Sequence, residues 1–406
     1  MSQQKSIEIK NFEWYYKKSF YWQPIKYKEN QQRCVYNGIH KNKGNDNEVA
    51  KKRVIIKSII INEEKIKNKL LSNSAEAVND TLENEFEKIL KYALKEVYFL
   101  ASFKKNRYFA EIIDVFISDN FEKLFIILKD DGVNLKDFIE FNNGEYFYKY
   151  PDIPRKFIFT ILCGLKFLHE NDLSHNDLSL ENILVDSFGN IKICGLSSTD
   201  KVGKLKGGKT NGYLSPSALL DFKRTKEDDI WAAGVIFLEL SLKKYYIFKF
   251  DERENKNKLK KILEEFYNIR IGQNNWNEGI NYDIIIEYIK HEQYNEFEAK
   301  LKQDIFIEIN KNNINDIKRV KESEKLIRAM LEINPNKRPK LEAVNDNILN
   351  SSLFDDLEFS SQDSIIDYKE DDYNKYFNNG EKINKSKFIE YLEDIKEKFI
   401  GHTIFE

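Results

Sequence analysis

The run from His169 to Ser197 constrains this chain more than any other stretch: His-Glu-Asn-Asp-Leu-Ser-His-Asn-Asp-Leu-Ser-Leu-Glu-Asn-Ile-Leu-Val-Asp-Ser-Phe-Gly-Asn-Ile-Lys-Ile-Cys-Gly-Leu-Ser. Asp177 and Asn182 fall on an expected loop, and the apolar Ile183, Leu184 and Val185 that follow predict a short buried strand. A carboxylate so placed can accept a hydroxyl proton, and a neighbouring amide oxygen can ligate a divalent cation.

The spacing of His175, Asp177, Leu178 and Asn182 is His-x-Asp-Leu-x-x-x-Asn, and on these residues the chain resembles the protein kinase superfamily. The resemblance implies an α+β, two-lobed kinase-like fold with a small β-rich lobe over residues 30–128 and a larger helical lobe over 133–348. It also implies ATP, Mg²⁺ and a protein substrate or partner. In that family an Asp-Phe-Gly tripeptide follows the strand and its Asp holds the metal ion. Here Ile191-Lys192-Ile193-Cys194 runs straight into Gly195-Leu196-Ser197. Aligned without a gap, Gly195 stands at the Asp position; aligned on the glycine, Asp and Phe are both deleted. Either way the carboxylate is gone and Asn182 is left as the metal ligand, so Mg²⁺ is expected to be held feebly and ATP weakly.

Upstream, Val54-Ile55-Ile56-Lys57-Ser58-Ile59-Ile60-Ile61 is a β-branched run with one lysine inside it, which is costly unless that lysine is paired or points to solvent from an edge. The resemblance makes Lys57 the residue that grips the α- and β-phosphates, and Glu96 its helix partner, in competition with Glu83, Glu85 and Glu87. It also sets Ile55, where alanine is usual, beneath the adenine, and puts Leu128 at the end of the strand that leads to the hinge, Lys129 to Gly132. A glycine-rich hairpin over the phosphates, expected between Cys34 and Val54, is not recognisable.

Downstream, Ser217 takes the place of the glutamate of an Ala-Pro-Glu element, and Asp229 resembles the carboxylate that braces the catalytic loop. Arg338 resembles the arginine that would pair with the missing glutamate, so it needs another acceptor; an unpartnered buried guanidinium costs ~3 kcal/mol or more. Asn176 replaces the arginine that reads activation-loop phosphorylation, and Ser179 a lysine. Ile55-Ile56-Lys57-Ser58 is similar to the Phe-Ile-Lys-Lys signature of the FIKK kinases of apicomplexan parasites. Together these features predict a pseudokinase, with an active Ser/Thr kinase whose Asp-Phe is missing from the sequence as the alternative.

Composition fits a folded chain with several domain-sized units: 406 residues, 41% hydrophobic, and 65 basic against 67 acidic side chains, which gives no global field for nucleic acid or anionic membrane. Aromatics among lysines in the leader, residues 1–29, suit packing on a small β-lobe better than nucleic-acid binding. Three scattered cysteines lack metal-ligand spacing, and with no apolar leader or run of about 18 apolar residues the default expectation is a cytoplasmic protein without a membrane span. Residues 62–92 and about 243–325 read as charged, helical insertions. Within 349–406 an acidic stretch reads as disordered, and Lys385 to Ile400 as an amphipathic helix free to dock on the large lobe or on a partner.

Overall fold

In the computed structural model the chain divides into two compact units, Met1–Asp131 with Gln362–Glu406, and Gly132–Ser361. The structure describes residues 20–24, 33–41, 51–66, 68, 79–118, 121–141, 150, 152–204, 212–220, 223–242, 254–271, 280–306, 317–342, 347–358, 368–378 and 380–400. The leader aromatics Trp14, Tyr15 and Tyr16, the turn around Gly44, residues 69–78 and residues 243–253 lie outside them.

The first unit is built on an antiparallel five-stranded sheet. Its strands are β1 (Phe20–Pro24), β2 (Arg33–Lys41), β3 (Lys51–Ile60), β4 (Ile112–Ile117) and β5 (Lys123–Lys129), in the order β1-β2-β3-β5-β4. The branched side chains of β3 suit a pleated, packed surface. Period-two alternation buries Val54 and Ile56, which join Ile113, Phe125 and Ile127 in a core, while Ile55 and Lys57 leave on the other face. The hairpin preceding β3 differs from the expected one. Cys34 to Lys41 belong to β2, so the first hairpin is β1–β2, and its connection, residues 25–32, contains no glycine.

Helix α1 (Asn79–Ser102) follows β3, so the latter part of the 62–92 segment and Glu96 share one continuous helix. Phe86, Leu90, Ala93, Leu94 and Val97 recur at helical spacing and are buried. From Ala93 to Ser102, however, every residue is buried, Lys95, Tyr98 and Phe99 included. One sheet cannot cover a helix all round, so a second layer is required.

The second unit opens with β6 (Val133–Asn134) and α2 (Leu135–Phe141), then α3 (Ile153–Glu170). Pro154 sits in the first turn of α3, where its missing N–H has no helical partner to lose. Ile158, Ile161, Leu162, Leu165 and Leu168 are fully buried, each contributing about 1.5–3 kcal/mol of hydrophobic stabilisation. Strands β7 (Leu173–Ser174), β8 (Ile183–Val185), β9 (Ile191–Ile193) and β10 (Asp200–Lys201) form two small sheets, β6-β8-β9 and β10-β7. After the short α4 (Pro216–Leu219), α5 (Lys226–Leu242) packs on α3. Helix α5 is buried from Asp228 to Leu242, and a β-carbon at Gly234 would stand 2.8 Å from Met330 Cβ, so glycine permits the close approach there. The remainder comprises α6 (Asn255–Phe266), β11 (Tyr267–Ile271), α7 (Tyr282–Lys290), β12 (Phe297–Leu301) and α8 (Ile317–Met330). The 243–325 segment, read as helical, therefore includes an antiparallel β11–β12 pair.

The chain then returns to the first unit as α9 (Glu370–Phe377) and α10 (Lys385–Ile395), the latter running into a π-helical turn, Lys396–Ile400. These supply the second layer over α1. The acidic residues Glu370, Asp371 and Asp372, expected in a disordered stretch, form the first turn of α9, where negative charge complements the helix dipole. Helix α10 packs on α1 within the sheet unit.

Candidate active site

Within the sheet unit the Lys57 ammonium donates to the Glu96 carboxylate; the Lys57 side chain is 16% exposed and that of Glu96 2%. Glu83, Glu85 and Glu87, the competing carboxylates, are exposed or half-buried on the earlier turns of α1, and Glu85 is engaged by Lys88. Ile55 and Leu128 are direct cross-strand partners, and Lys57 lies opposite Ile126, so Ile55, Lys57 and Leu128 share one face.

In the helical unit the loop from His175 to Asn182 is held from below by Asp229. Its buried carboxylate accepts the backbone N–H groups of His175 at 2.8 Å and Asn176 at 2.9 Å and lies 3.1 Å from His169 Nε2. Burial alone would raise the pKa of Asp229, but the His169 hydrogen bond, the electrostatic influence of the neighbouring His169 and His175 rings and the Asn176 N–H hold it below the ordinary carboxylate value. The His175 ring accepts from the Asp177 N–H at Nδ1, 3.2 Å away, and places Nε2 3.1 Å from the Cys194 carbonyl; the Nε2–H tautomer satisfies both contacts.

Asn176 has a left-handed backbone, φ 66°. Its Nδ2 donates to the carbonyls of Ser174 at 3.0 Å and Ser198 at 3.1 Å, and its Oδ1 accepts from the Ser174 hydroxyl. This asparagine ties the loop to the segment that follows β9. Thr199 and Ser198 are buried there, and β10 pairs with β7. Ser179 is likewise buried.

Asn182 is pinned from both ends. Its Nδ2 donates to the Asp177 carbonyl at 2.7 Å and lies 3.4 Å from Asp177 Oδ2, while its backbone carbonyl accepts from Cys194 N–H at 2.9 Å. Gly195 has φ 74° and ψ 38°, and a β-carbon built on it would come within 2.5 Å of Asn182 Cγ. The space where a side chain at 195 would begin is thus filled by the Asn182 carboxamide.

The Arg338 guanidinium meets its requirement without a glutamate. It donates to the carbonyls of Glu332 at 2.8 Å, Glu227 at 2.9 Å and Ile333 at 3.2 Å, lies over the Trp231 ring, and is 3.9 Å from Asp228 Oδ1. Asp228 also accepts from the hydroxyls of Ser215 and Ser217 and from the Thr225 N–H at 2.7 Å. Sequence reasoning missed Asp228 because it neighbours the more conspicuous Asp229.

With this arrangement in view, the comparisons assign the class: residues 34–349 match the protein kinase domain, and the chain belongs to that family. It is 29% identical over 273 residues to the sporulation-specific mitogen-activated protein kinase SMK1 of Saccharomyces cerevisiae, covering 59% of this chain and 69% of that protein. It is also 35% identical over 124 residues to the probable serine/threonine-protein kinase MRK1 homolog of Encephalitozoon cuniculi, and 34% identical over 140 residues to the serine/threonine-protein kinase YPK1 of Saccharomyces cerevisiae. Those two alignments cover 29% and 30% of this chain, and the chain spans only 37% and 20% of those relatives' lengths. Among the described residues no helix is long and apolar enough to cross a membrane.

Members of the protein kinase family typically bind ATP with Mg²⁺. The Lys57–Glu96 pair suits a nucleotide phosphate. The residue at the end of β9 does not fit a Mg²⁺ ligand, since Gly195 offers no carboxylate and its backbone lies against the Asn182 carboxamide.

Proposed function

We propose that this chain is a pseudokinase, a kinase-fold domain that binds nucleotide weakly and with little dependence on Mg²⁺, transfers phosphate poorly or not at all, and acts by binding other proteins. The observation that carries this reading is Gly195 with its backbone against the Asn182 carboxamide. A metal ligand is absent at the position that follows β9, and losing one such electrostatic contribution costs a factor of about 10²–10³ in rate. Lys57, oriented by Glu96, still offers charge to a phosphate; Ile55 narrows the adenine side, and Asp177 and Asn182 keep their family spacing. The likeness of Ile55-Ile56-Lys57-Ser58 to the FIKK signature rests on those few residues and on nearby motifs, whereas the relatives named above are kinases of Encephalitozoon cuniculi and Saccharomyces cerevisiae.

Thermal-shift titration with ATP tests the binding claim. A small stabilisation that survives a chelator and disappears in Lys57→Ala is expected; binding tighter than about 1 μM that the chelator abolishes would overturn it. In a radiolabelled transfer assay, Mg²⁺-dependent turnover of about 1 per second or more, the ordinary kinase range, would do the same for the claim of inactivity.

A second reading has its own support. The retained Lys57–Glu96 pair and the Asp177–Asn182 loop fit an active Ser/Thr kinase from which Asp-Phe between Cys194 and Gly195 has dropped out. Sequencing the transcript across the codons for Ile193 to Leu196 decides between them, since two additional codons there would favour the active enzyme.

A further inference from the structure

The kinase match ends at residue 349, yet residues 362–406 belong to the sheet unit. We infer that this terminal segment is a clamp that positions Glu96 on Lys57, and that Tyr98 is the residue through which it acts. Glu96 and Tyr98 are two positions apart on α1, about 200° around the helix, so they point to opposite sides. Glu96 meets β3 through Lys57. Tyr98 is fully buried in the tail, its ring edge-on to Tyr376 at 5.5 Å, Phe377 at 5.6 Å and Phe399 at 5.8 Å, and its hydroxyl donates to the Lys369 carbonyl at 3.2 Å. Burial in this cluster pushes the Tyr98 phenol well above its ordinary pKa, so it remains the donor.

The tail is also fastened to the sheet. Lys396 Nζ lies 2.8 Å from Asp114 Oδ1 and donates to the Val115 carbonyl at 3.0 Å, both on β4. Phe121, held at φ 54° between β4 and β5, is covered by Phe388 at 6.2 Å. A bulky residue in the left-handed region persists only where surrounding structure holds it there. The helix bearing Glu96 is therefore gripped between the sheet and a segment that is itself anchored to the sheet, and its azimuth is set from outside the matched kinase region. Loosening the tail lets α1 rotate and draws the Glu96 carboxylate from Lys57.

The test reads the ion pair directly and needs no nucleotide, so its outcome is separable from that of the pseudokinase reading. In the full-length chain, the rate at which an amine-reactive ester acylates Lys57 is followed by mass spectrometry, with Lys136, paired to Glu181 at 2.7 Å in the other unit, as an internal standard. Glu96→Gln gives the rate of the released lysine. Phe399→Ala is expected to raise the Lys57 rate by up to about tenfold, the upper end of what the loss of its aromatic pair with Tyr98 carries, with Lys136 unchanged and no further increase when combined with Glu96→Gln. Tyr98→Phe keeps the rings and should stay close to the parent.

An unchanged Lys57 rate in Phe399→Ala, with the tail shown to be released by limited proteolysis, overturns the inference. So does a full additive increase in the double variant. Should Phe399→Ala accelerate both lysines, the protein has loosened generally and Lys396→Gln decides: a selective rise at Lys57 supports the clamp, and no rise refutes it.

Discussion

The α-carbon of Gly195 lies against the carboxamide of Asn182, so closely that a β-carbon at 195 would be 2.5 Å from Asn182 Cγ. Replacing the glycine by the family's aspartate therefore does not recreate a metal site. Gly195→Asp is expected to destabilise the helical unit by about 1–2 kcal/mol from the left-handed backbone alone, with a further cost from displacing Asn182, and to gain no Mg²⁺-dependent transfer. Denaturant melts and a radiolabelled transfer assay check both. Inserting Asp-Phe between Cys194 and Gly195 is the contrasting variant, and it gains activity only if the second reading of the chain is right.

Asp228 is the nearest carboxylate to Arg338, at 3.9 Å, in place of a glutamate at 217. Burial pulls the Arg338 pKa below the ordinary arginine value, and the Asp228 charge opposes that pull. Asp228→Asn keeps an acceptor for the Thr225 N–H but removes the charge, and should cost about 3–5 kcal/mol in urea melts of the helical unit. Ser217→Glu is predicted to be harmful alone, since it crowds a second carboxylate onto Asp228, but to restore part of the loss in the Asp228→Asn background.

Asp229 gives a pH dependence with a definite sign. Its folded pKa lies below the unfolded value, so its contribution is fully present above about pH 4 and is lost as pH falls through the folded value. The groups facing it are His169, His175 and the Asn176 N–H. Asp229→Asn should be less stable at neutral pH and show a shallower loss of stability on acidification, measured by denaturant titration at a series of pH values.

Asn176 offers a test of the cross-link that stands in for a phosphate-reading arginine. Asn176→Gly relieves the positive φ but loses the bonds to Ser174 and Ser198, at about 0.5–1.5 kcal/mol net for each hydrogen bond. Faster proteolysis within residues 196–204 is the expected result. Asn176→Arg should be worse, because arginine is disfavoured in the left-handed region and would bury its charge.

How much of this could be read from the residues differs from place to place. The Lys57–Glu96 pair and the Asp177–Asn182 contact were legible because each residue lies at a fixed distance from an apolar run that declares a strand or helix. Gly195 was half legible: a missing carboxylate is visible, but the left-handed turn against Asn182 depends on how β8, β9 and the loop close on one another. Arg338 announced a need for an acceptor without naming it, because three of its partners are backbone carbonyls, which every sequence has everywhere. The tail misled. Counting charges over 355–372 hides the Tyr373, Tyr376 and Phe377 stripe, and the complementary signal lay elsewhere, in the all-round apolar run Val97-Tyr98-Phe99-Leu100-Ala101 of α1.

Because the sheet unit joins residues up to Asp131 with residues from Gln362 onward, it cannot be completed during synthesis until the later segment has left the ribosome. The contact between Tyr98 and Lys369 spans 271 positions, and that between Lys396 and Val115 spans 281. Closing such loops carries a large entropic cost before any contact forms, whereas residues 132–361 are contiguous and free to fold first. Until α9 and α10 arrive, Tyr98 and Phe99 present bare aromatic surface on a nascent chain, a state suited to capture by holdase chaperones and to aggregation. A stop between residue 361 and the end of α10 would thus leave a finished helical unit tethered to an unfinished sheet, and the yield of folded protein in cells should depend steeply on the codons for residues 370–400.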